Sequence, residues 1–399
     1  PYAYFKDDDL VGRAPVDEDE DGSLLKQALH DHKANFDMQD FAQQLRYRDA
    51  GLTDNPDYTG ALISPYHYAN READASTAYF TVSGWMDGGG YSVGTIQRYL
   101  WLNNPENGLM LGPWDHGARG HASPWRPNTD PQQPFVGAAV LRFFDKHLKQ
   151  LNTDIDAEQP VHYYTMGEEA WKAADTWPPE HRETAFFPAT GGALAAQAPN
   201  DEPSGEETAG DSYEADYACA TGSHTRYDRL YIANVDTYYD DWDGREDAML
   251  SYTTPPLDAD TEVTGHPYVD LHFASSEKDC SLFVYLSDIT PEGRSVYVTE
   301  GMFRALHRKP GPYPTDIPAT GPTHTFNFED AQHLVPGEPA TVAFELLPTS
   351  YLFRKGHRIR MSLAASDSDH FTRIPDGRPP KITLFRDKSR PSKLVLPVV

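Results

Sequence analysis

Cysteine is nearly absent: Cys219 and Cys280 are the only two in 399 residues. So distant a pair matches no metal-ligand spacing and builds no disulfide framework of the kind small secreted domains use. Long apolar runs are missing as well. No stretch approaches about 18 consecutive apolar residues, so no helix is expected to cross a bilayer. Positive charge is scarce: 34 Lys and Arg stand against 61 Asp and Glu, a net charge of -27. Nucleic acid and anionic membrane surfaces both require basic patches, so neither is expected as a partner. No signal peptide is seen, but the chain opens at Pro1 without a Met and reads as truncated, which leaves the compartment open.

What is present is ordinary globular material, 39% hydrophobic and 12% aromatic. The length exceeds one compact core and implies roughly two or three domains. Three textures divide the chain. Residues 1–75 read as helical and acidic. There Asp21 and Ser23 sit where an N-cap belongs, ahead of Leu24, Leu25, Ala28 and Leu29 at helical spacing. A second helical piece is expected around Phe36, Phe41, Ala42 and Leu45. Residues 76–155 alternate strand and helix: "AYFTVSGW", "TIQRYLWL", "GLMLGPW" and "FVGAAVLRFFDKHLKQL". Continuous apolar strands separated by helices predict a parallel sheet. Residues 156–399 carry an exposed loop from Ala189 to Asp211, then about ten short β-rich runs punctuated by Pro and Gly, from "RLYIANV" through "THTFNF" to "KLVLPVV". That texture predicts a β-sandwich of the jelly-roll kind. The fold class is therefore α/β plus all-β.

The segment "VSGWMDGGG" ends a buried strand and sets Asp87 just past it, and "LMLGPWDHG" sets His116 just past the next strand. In open α/β sheets functional groups gather at the carboxyl ends of strands. A carboxylate fixes the imidazole tautomer and the far ring nitrogen takes a nucleophile's proton. The order Asp before His is that of an α/β-hydrolase, in which the Ser comes first. Spacing alone leaves two structural readings open: Asp87 as a cap of the next helix, and His116 as one of several packed histidines.

The motifs "GWMDGG" and "LGPWDHG" resemble the Gly-Trp-Tyr-Asp and Gly-Pro-Trp-x-His segments of the cocaine esterase / X-prolyl dipeptidyl peptidase family. "DEDEDGSLLKQALHDHKANFD" is similar to the start of that family's helical cap, and "RFFDKHLK" to its last core helix. "YTTPPLDADTEVTGHPYVDLHFASSEKD" and "LLPTSYLFRKGHRIRMSLAASD" are similar to its jelly roll, which is galactose-binding-like in architecture. The resemblance spans nearly the whole chain. It implies a helical cap, the C-terminal half of an α/β-hydrolase core and a jelly-roll β-sandwich. It makes Asp87 the triad acid and His116 the general base, with no cofactor. The family's nucleophile sits on a Gly-x-Ser-x-Gly elbow ahead of the cap, so the Ser and the oxyanion donors are expected outside this chain, in a missing N-terminal half of the core.

Several competing residues are weighed against this reading. "GYSVG" satisfies the elbow pattern at Ser92, but the turn after Trp85 is already taken by Asp87 and three glycines, so Ser92 is expected to start a helix. Only Glu106 and Asp115 would serve it as acid. His121 is the alternative base. Trp85 and Trp114 are candidates either to line a pocket floor or to pack the strands. Asp17, Asp19, Asp21 and Gly22 mimic an EF-hand loop, but Ala28 stands where the bidentate carboxylate belongs, and no zinc spacing occurs, so no metal is expected. The expected substrate is a small ester or amide, with X-prolyl dipeptidyl peptidase activity as the alternative. A reading from another class makes the jelly roll a carbohydrate-binding module with Tyr238, Tyr239 and Trp242 as its exposed aromatics. Acyl specificity and oligomeric state are not legible.

Overall fold

The computed structural model describes residues 17–33, 45–51, 56–62, 64–69, 76–126, 132–200, 210–227, 237–313 and 317–399. The chain divides into two compact units, 1–63 and 64–399. In the first, α1 (Ser23–His32) forms over the expected Leu-rich run. The cap differs from expectation. Gly22 takes the N-cap position, and Asp19 accepts from the amides of Leu24 and Leu25 at 2.7 and 2.9 Å. That carboxylate therefore satisfies helix-end donors, the favourable placement for an anion. The second expected helical piece, with Asp37 and Asp40, lies outside the described residues except for Leu45.

The second unit opens with the predicted alternation. Strand β1 (Phe80–Met86) leads to α2 (Tyr91–Trp101), β2 (Gly108–Asp115) and α3 (Gln133–Lys149). β1 and β2 pair in parallel from Phe80↔Gly108 onward. The sheet continues beyond them: β3 (Val161–Thr165) adds in parallel to β2, and β4 (Ala170–Ala174) closes it antiparallel. Its order is β1-β2-β3-β4, which leaves β1 at an edge among the described residues. Gly84 is required where β1 meets β2, because a Cβ there would lie 2.0 Å from the carbonyl oxygen of Trp114.

Residues 182–398 contain strands and short 3-10 turns among the described positions. They are β5 (Arg182–Ala189), β6 (Ala193–Ala195), β7 (Gly210–Glu214), β8 (Leu250–Thr253), β9 (Thr261–Gly265), β10 (Tyr268–Ser275) and β11 (Ser281–Ile289). There follow β12 (Ser295–Arg304), β13 (Ala340–Glu345), β14 (Thr349–Phe353), β15 (Arg358–Ala364), β16 (Lys381–Asp387), β17 (Arg390–Pro391) and β18 (Lys393–Val398). β5 bonds to β18 along Arg182–Phe186 and to β6 along Phe187–Ala189, so one strand joins two groups. β12, β11, β15 and β8 make one group, and β18, β10, β16 and β13 the heart of the other. The expected strand over "THTFNF" does not form; His324 makes only an isolated bridge to Pro310. The run "RLYIANV" lies outside the described residues. One hydrophobic cluster runs from Trp85 and Leu109 through Val284 and Leu363 to Leu396, so the mixed sheet and the all-β region share a core.

Candidate active site

Because β1 and β2 are parallel neighbours, their carboxyl ends reach the same edge. The register holds from Phe80 to Gly84 and then slips by one before Met86 pairs with Asp115. Such a bulge bends the strand and re-aims the side chains beyond it. Asp87 and His116 follow directly. Nδ1 of His116 lies 2.9 Å from Oδ1 of Asp87, and the hydroxyl of Ser83 donates to Oδ2 at 3.0 Å. The Asp87 side chain is 11% exposed and that of His116 41%. With its proton on Nδ1, the imidazole presents an unprotonated Nε2 to solvent, the form a general base needs. Tyr91 packs on the ring at 5.1 Å between centroids. The arrangement can orient an imidazole, receive a proton on Nε2 and stabilise the resulting cation.

The other sequence candidates are not brought to this point. Ser92 is wholly buried on the first turn of α2, closed to any substrate, and its hydroxyl finds no partner among the described residues. His121 is 2% exposed, edge-on to Tyr164 at 5.2 Å. Trp85 and Trp114 are each 1% exposed and pack the strands rather than line a pocket floor. The Trp85 indole donates to the Tyr164 carbonyl at 2.7 Å, and Trp114 lies against Trp171. Glu106 ion-pairs with Lys146, away from the dyad. A cavity of about 440 Å³ lies between α3 and the amino ends of the strands, lined by Phe80, Gly108, Phe143 and Lys146, at the opposite end of the sheet from His116. Among the described residues no group of three or more His, Cys, Asp or Glu could hold a metal.

The exposed aromatics needed for carbohydrate binding are not exposed. Tyr238, Tyr239 and Trp242 are all buried. Tyr239 stacks on Tyr297 at 3.6 Å, and the Trp242 indole donates to Ser287 at 3.0 Å, so these rings fill the core.

Sequence reasoning missed Ser83. Its only signal was a hydroxyl four residues before Asp87, in a strand that also carries Thr81. It named Tyr238 only as a carbohydrate-binding aromatic and missed that its hydroxyl donates to Oδ2 of Asp115 at 3.0 Å, immediately before His116. No local pattern announces a contact spanning more than a hundred residues.

Residues 153–395 match the model of the X-Pro dipeptidyl-peptidase C-terminal non-catalytic domain. The chain is 37% identical over 408 residues to a putative serine esterase of Mycobacterium bovis, covering 98% of this chain and 64% of that protein. It is 27% identical over 374 residues to the cocaine esterase of a Rhodococcus species, covering 87% of this chain and 61% of the relative. The chain thus spans less than two thirds of the length of these relatives. In fold it is similar to a CocE/NonD family hydrolase from Staphylococcus aureus (TM-score 0.63, 17% identity, covering 92% of this chain and 60% of the other). It is equally similar to an α-amino acid ester hydrolase (TM-score 0.63, 18% identity, 94% and 62% covered). The chain belongs to the cocaine esterase / X-prolyl dipeptidyl peptidase family of hydrolases.

Proposed function

We propose that this chain carries the acid and base of a Ser-His-Asp triad that cleaves ester or amide bonds of small acyl substrates. The observation that carries the reading is the Asp87–His116 hydrogen bond at paired strand ends, with Nε2 left open. In this reading the Ser attacks the carbonyl and Nε2 of His116 takes its proton. His116 then protonates the leaving group, while Asp87 holds the tautomer and stabilises the imidazolium. A water repeats the sequence on the acyl-enzyme. The Ser belongs to the part of the relatives' length that this chain does not span, and the chain alone is inactive. The parts are a helical cap (1–75), the C-terminal portion of an α/β-hydrolase core (76–155) and a jelly-roll domain (156–399).

Within this class we favour a neutral-acyl esterase or amidase over an X-prolyl dipeptidyl peptidase. A desolvated substrate ammonium needs paired negative charge. The residues after Asp87 are Gly88, Gly89 and Gly90, which carry none. The nearby Glu300 is buried and engaged by Tyr227, whose hydroxyl donates to it at 2.7 Å. The test uses the full-length protein that contains this chain. An X-prolyl anilide and its N-acetylated form should be cleaved with comparable kcat/KM, or with the acetylated form preferred. A preference of tenfold or more for the free amine, about 1.4 kcal/mol in transition-state binding, overturns the substrate assignment.

A further inference from the structure

Asp87 and His116 sit beyond the last regular pairing of β1 and β2, so the strand ladder does not by itself hold their tips. Contacts from the region matched by the non-catalytic domain model do. Two stretches of it, Arg226–Tyr227 and Tyr238–Tyr239, reach both tips. On the His116 side, Oδ2 of the fully buried Asp115 accepts the Tyr238 hydroxyl at 3.0 Å, and Oδ1 accepts the Arg119 amide at 2.9 Å. One oxygen closes the turn that carries His116; the other ties that turn to the all-β region. On the Asp87 side, Nη2 of Arg226 lies 3.8 Å from Sδ of Met86, the residue before Asp87. The Tyr227 ring covers Gly89: a Cβ there would come 3.1 Å from Cε1 of Tyr227.

The two stretches are locked to each other and to β12. Arg226 is 1% exposed, donates from Nη2 to the Tyr297 hydroxyl at 3.0 Å, and brings Nε to 3.6 Å from Glu300, which is 2% exposed. Tyr239 stacks on Tyr297 with planes 7° apart. A buried Arg–Glu pair is a poor source of stability compared with an apolar filling, because desolvation offsets the attraction. Its use is geometric: Nη2 is bonded to the Tyr297 hydroxyl, while Nε faces Glu300 at ion-pair distance without a hydrogen bond, so one bond, close packing and the attraction of a buried opposite charge fix the guanidinium.

We propose that Tyr238, Tyr227 and the Arg226–Glu300 pair are positioning residues, through which the all-β domain holds Asp87 and His116 in register for proton transfer. The inference rests on the triad reading above. Displacements of about 1 Å cost on the order of a hundredfold in rate when a reacting group is misplaced, so a partial loss of hold should cost less.

The experiment uses the full-length enzyme and p-nitrophenyl acetate. Tyr238→Phe, which removes the bond to Asp115, and Tyr227→Ala, which removes the ring over Gly89, are each expected to lower kcat about tenfold while KM stays within about twofold. The hydrogen-bonded Nδ1–H proton of His116, followed by NMR, is expected to broaden or move upfield in both variants. Ile382→Val, a buried change on β16 outside this cluster, reports the effect of destabilisation alone and should leave kcat and the proton signal unchanged. His116→Ala separates the two levels of argument. Loss of hydrolysis in His116→Ala with unchanged kcat and proton signal in both Tyr variants overturns the positioning role alone. Hydrolysis retained in His116→Ala overturns the triad reading and the positioning role with it.

Discussion

The mixed sheet ends at β1 and carries Leu141, Phe144 and Leu148 on the outer side of α3, whereas β11 and β12 of the all-β region are buried along almost their whole length. Leu148 is 74% exposed, on a helix whose other side packs Phe143 against Phe80. An apolar stripe on a long helix, beside an open sheet edge, is a surface shaped for covering. The all-β strands need no such covering. The candidate chemistry therefore sits in the region with more exposed apolar surface, and the proposed positioning contacts reach it from the better-buried one. This contrast fits the proposal that the nucleophile lies in the part of the relatives' length that this chain does not span.

The sharpest way to break the contrast is to remove the chemistry. In the full-length enzyme, His116→Ala or Asp87→Asn should lower kcat by about 10⁴ with the fold intact, as losing base or orienter does in triads. Steady-state kinetics beside a circular dichroism spectrum check this. Activity within tenfold of the parent would remove Asp87 and His116 from the mechanism.

Next in size is the exposed helix face. The isolated chain should show no ester hydrolysis, and any turnover abolished by Ser92→Ala would move the nucleophile into this chain. Leu148→Glu should raise the solubility of the isolated chain and lower its binding of an apolar dye. The same change in the full-length protein should destabilise by roughly 2–5 kcal/mol, because a charge then enters a covered apolar surface. Equal behaviour in both contexts would mean that α3 stays open to solvent.

The regions also differed in how readable they were. β1, α2, β2 and α3 follow from apolar runs separated by glycines, and Asp87 and His116 from their positions just past strand ends. β9 and β14 went unseen because five-residue strands such as "TEVTG" and "TSYLF" carry little periodicity. β3 shares the β-rich texture of residues 156–399 yet adds in parallel to β2, since pairing partners are a tertiary fact. Burial was the least readable quantity. Tyr238, Tyr239 and Trp242 look like a surface patch between acidic residues, yet they fill a core that only the packed strands create.

Within the all-β region one site should respond to pH. Burial pushes the Glu345 carboxyl up to about 7 from its ordinary 4.5. His266 approaches it at 3.6 Å, but this is no ion pair: burial holds the imidazole uncharged, down to about 3. The Trp177 indole donates to Nε2 of His266, so the neutral ring carries its proton on Nδ1, toward Glu345. A carboxyl whose folded value is raised contributes stability that is complete below about pH 4.5 and is lost as pH rises through 7. The cost above that window is about 3 kcal/mol. Glu345→Gln should therefore unfold at higher denaturant concentration than the parent at pH 8, with the gap closing by pH 5. A gap that does not vary with pH would place the ionised carboxylate in a better environment than its surroundings indicate.

The smallest expected effect bears on how much of the site's order is local. Ser83 donates to Oδ2 of Asp87 from within β1, while Oδ1 serves His116. The hydroxyl thus reaches the carboxylate from the strand itself, whereas the Tyr238 and Tyr227 contacts arrive from the all-β region. A hydrogen bond to a charged group is worth about 1.5–3 kcal/mol, but Asp87 keeps its His116 bond when the hydroxyl is removed. Ser83→Ala should cost about 1 kcal/mol of stability and lower kcat by roughly threefold to tenfold, with KM little changed. Kinetics of Ser83→Ala, Tyr238→Phe and the double variant decide between local and imported order. If the two sites hold the dyad independently, their effects on ln kcat add. If the double variant is no slower than the worse single one, the carboxylate plane and the His116 turn are held as one unit.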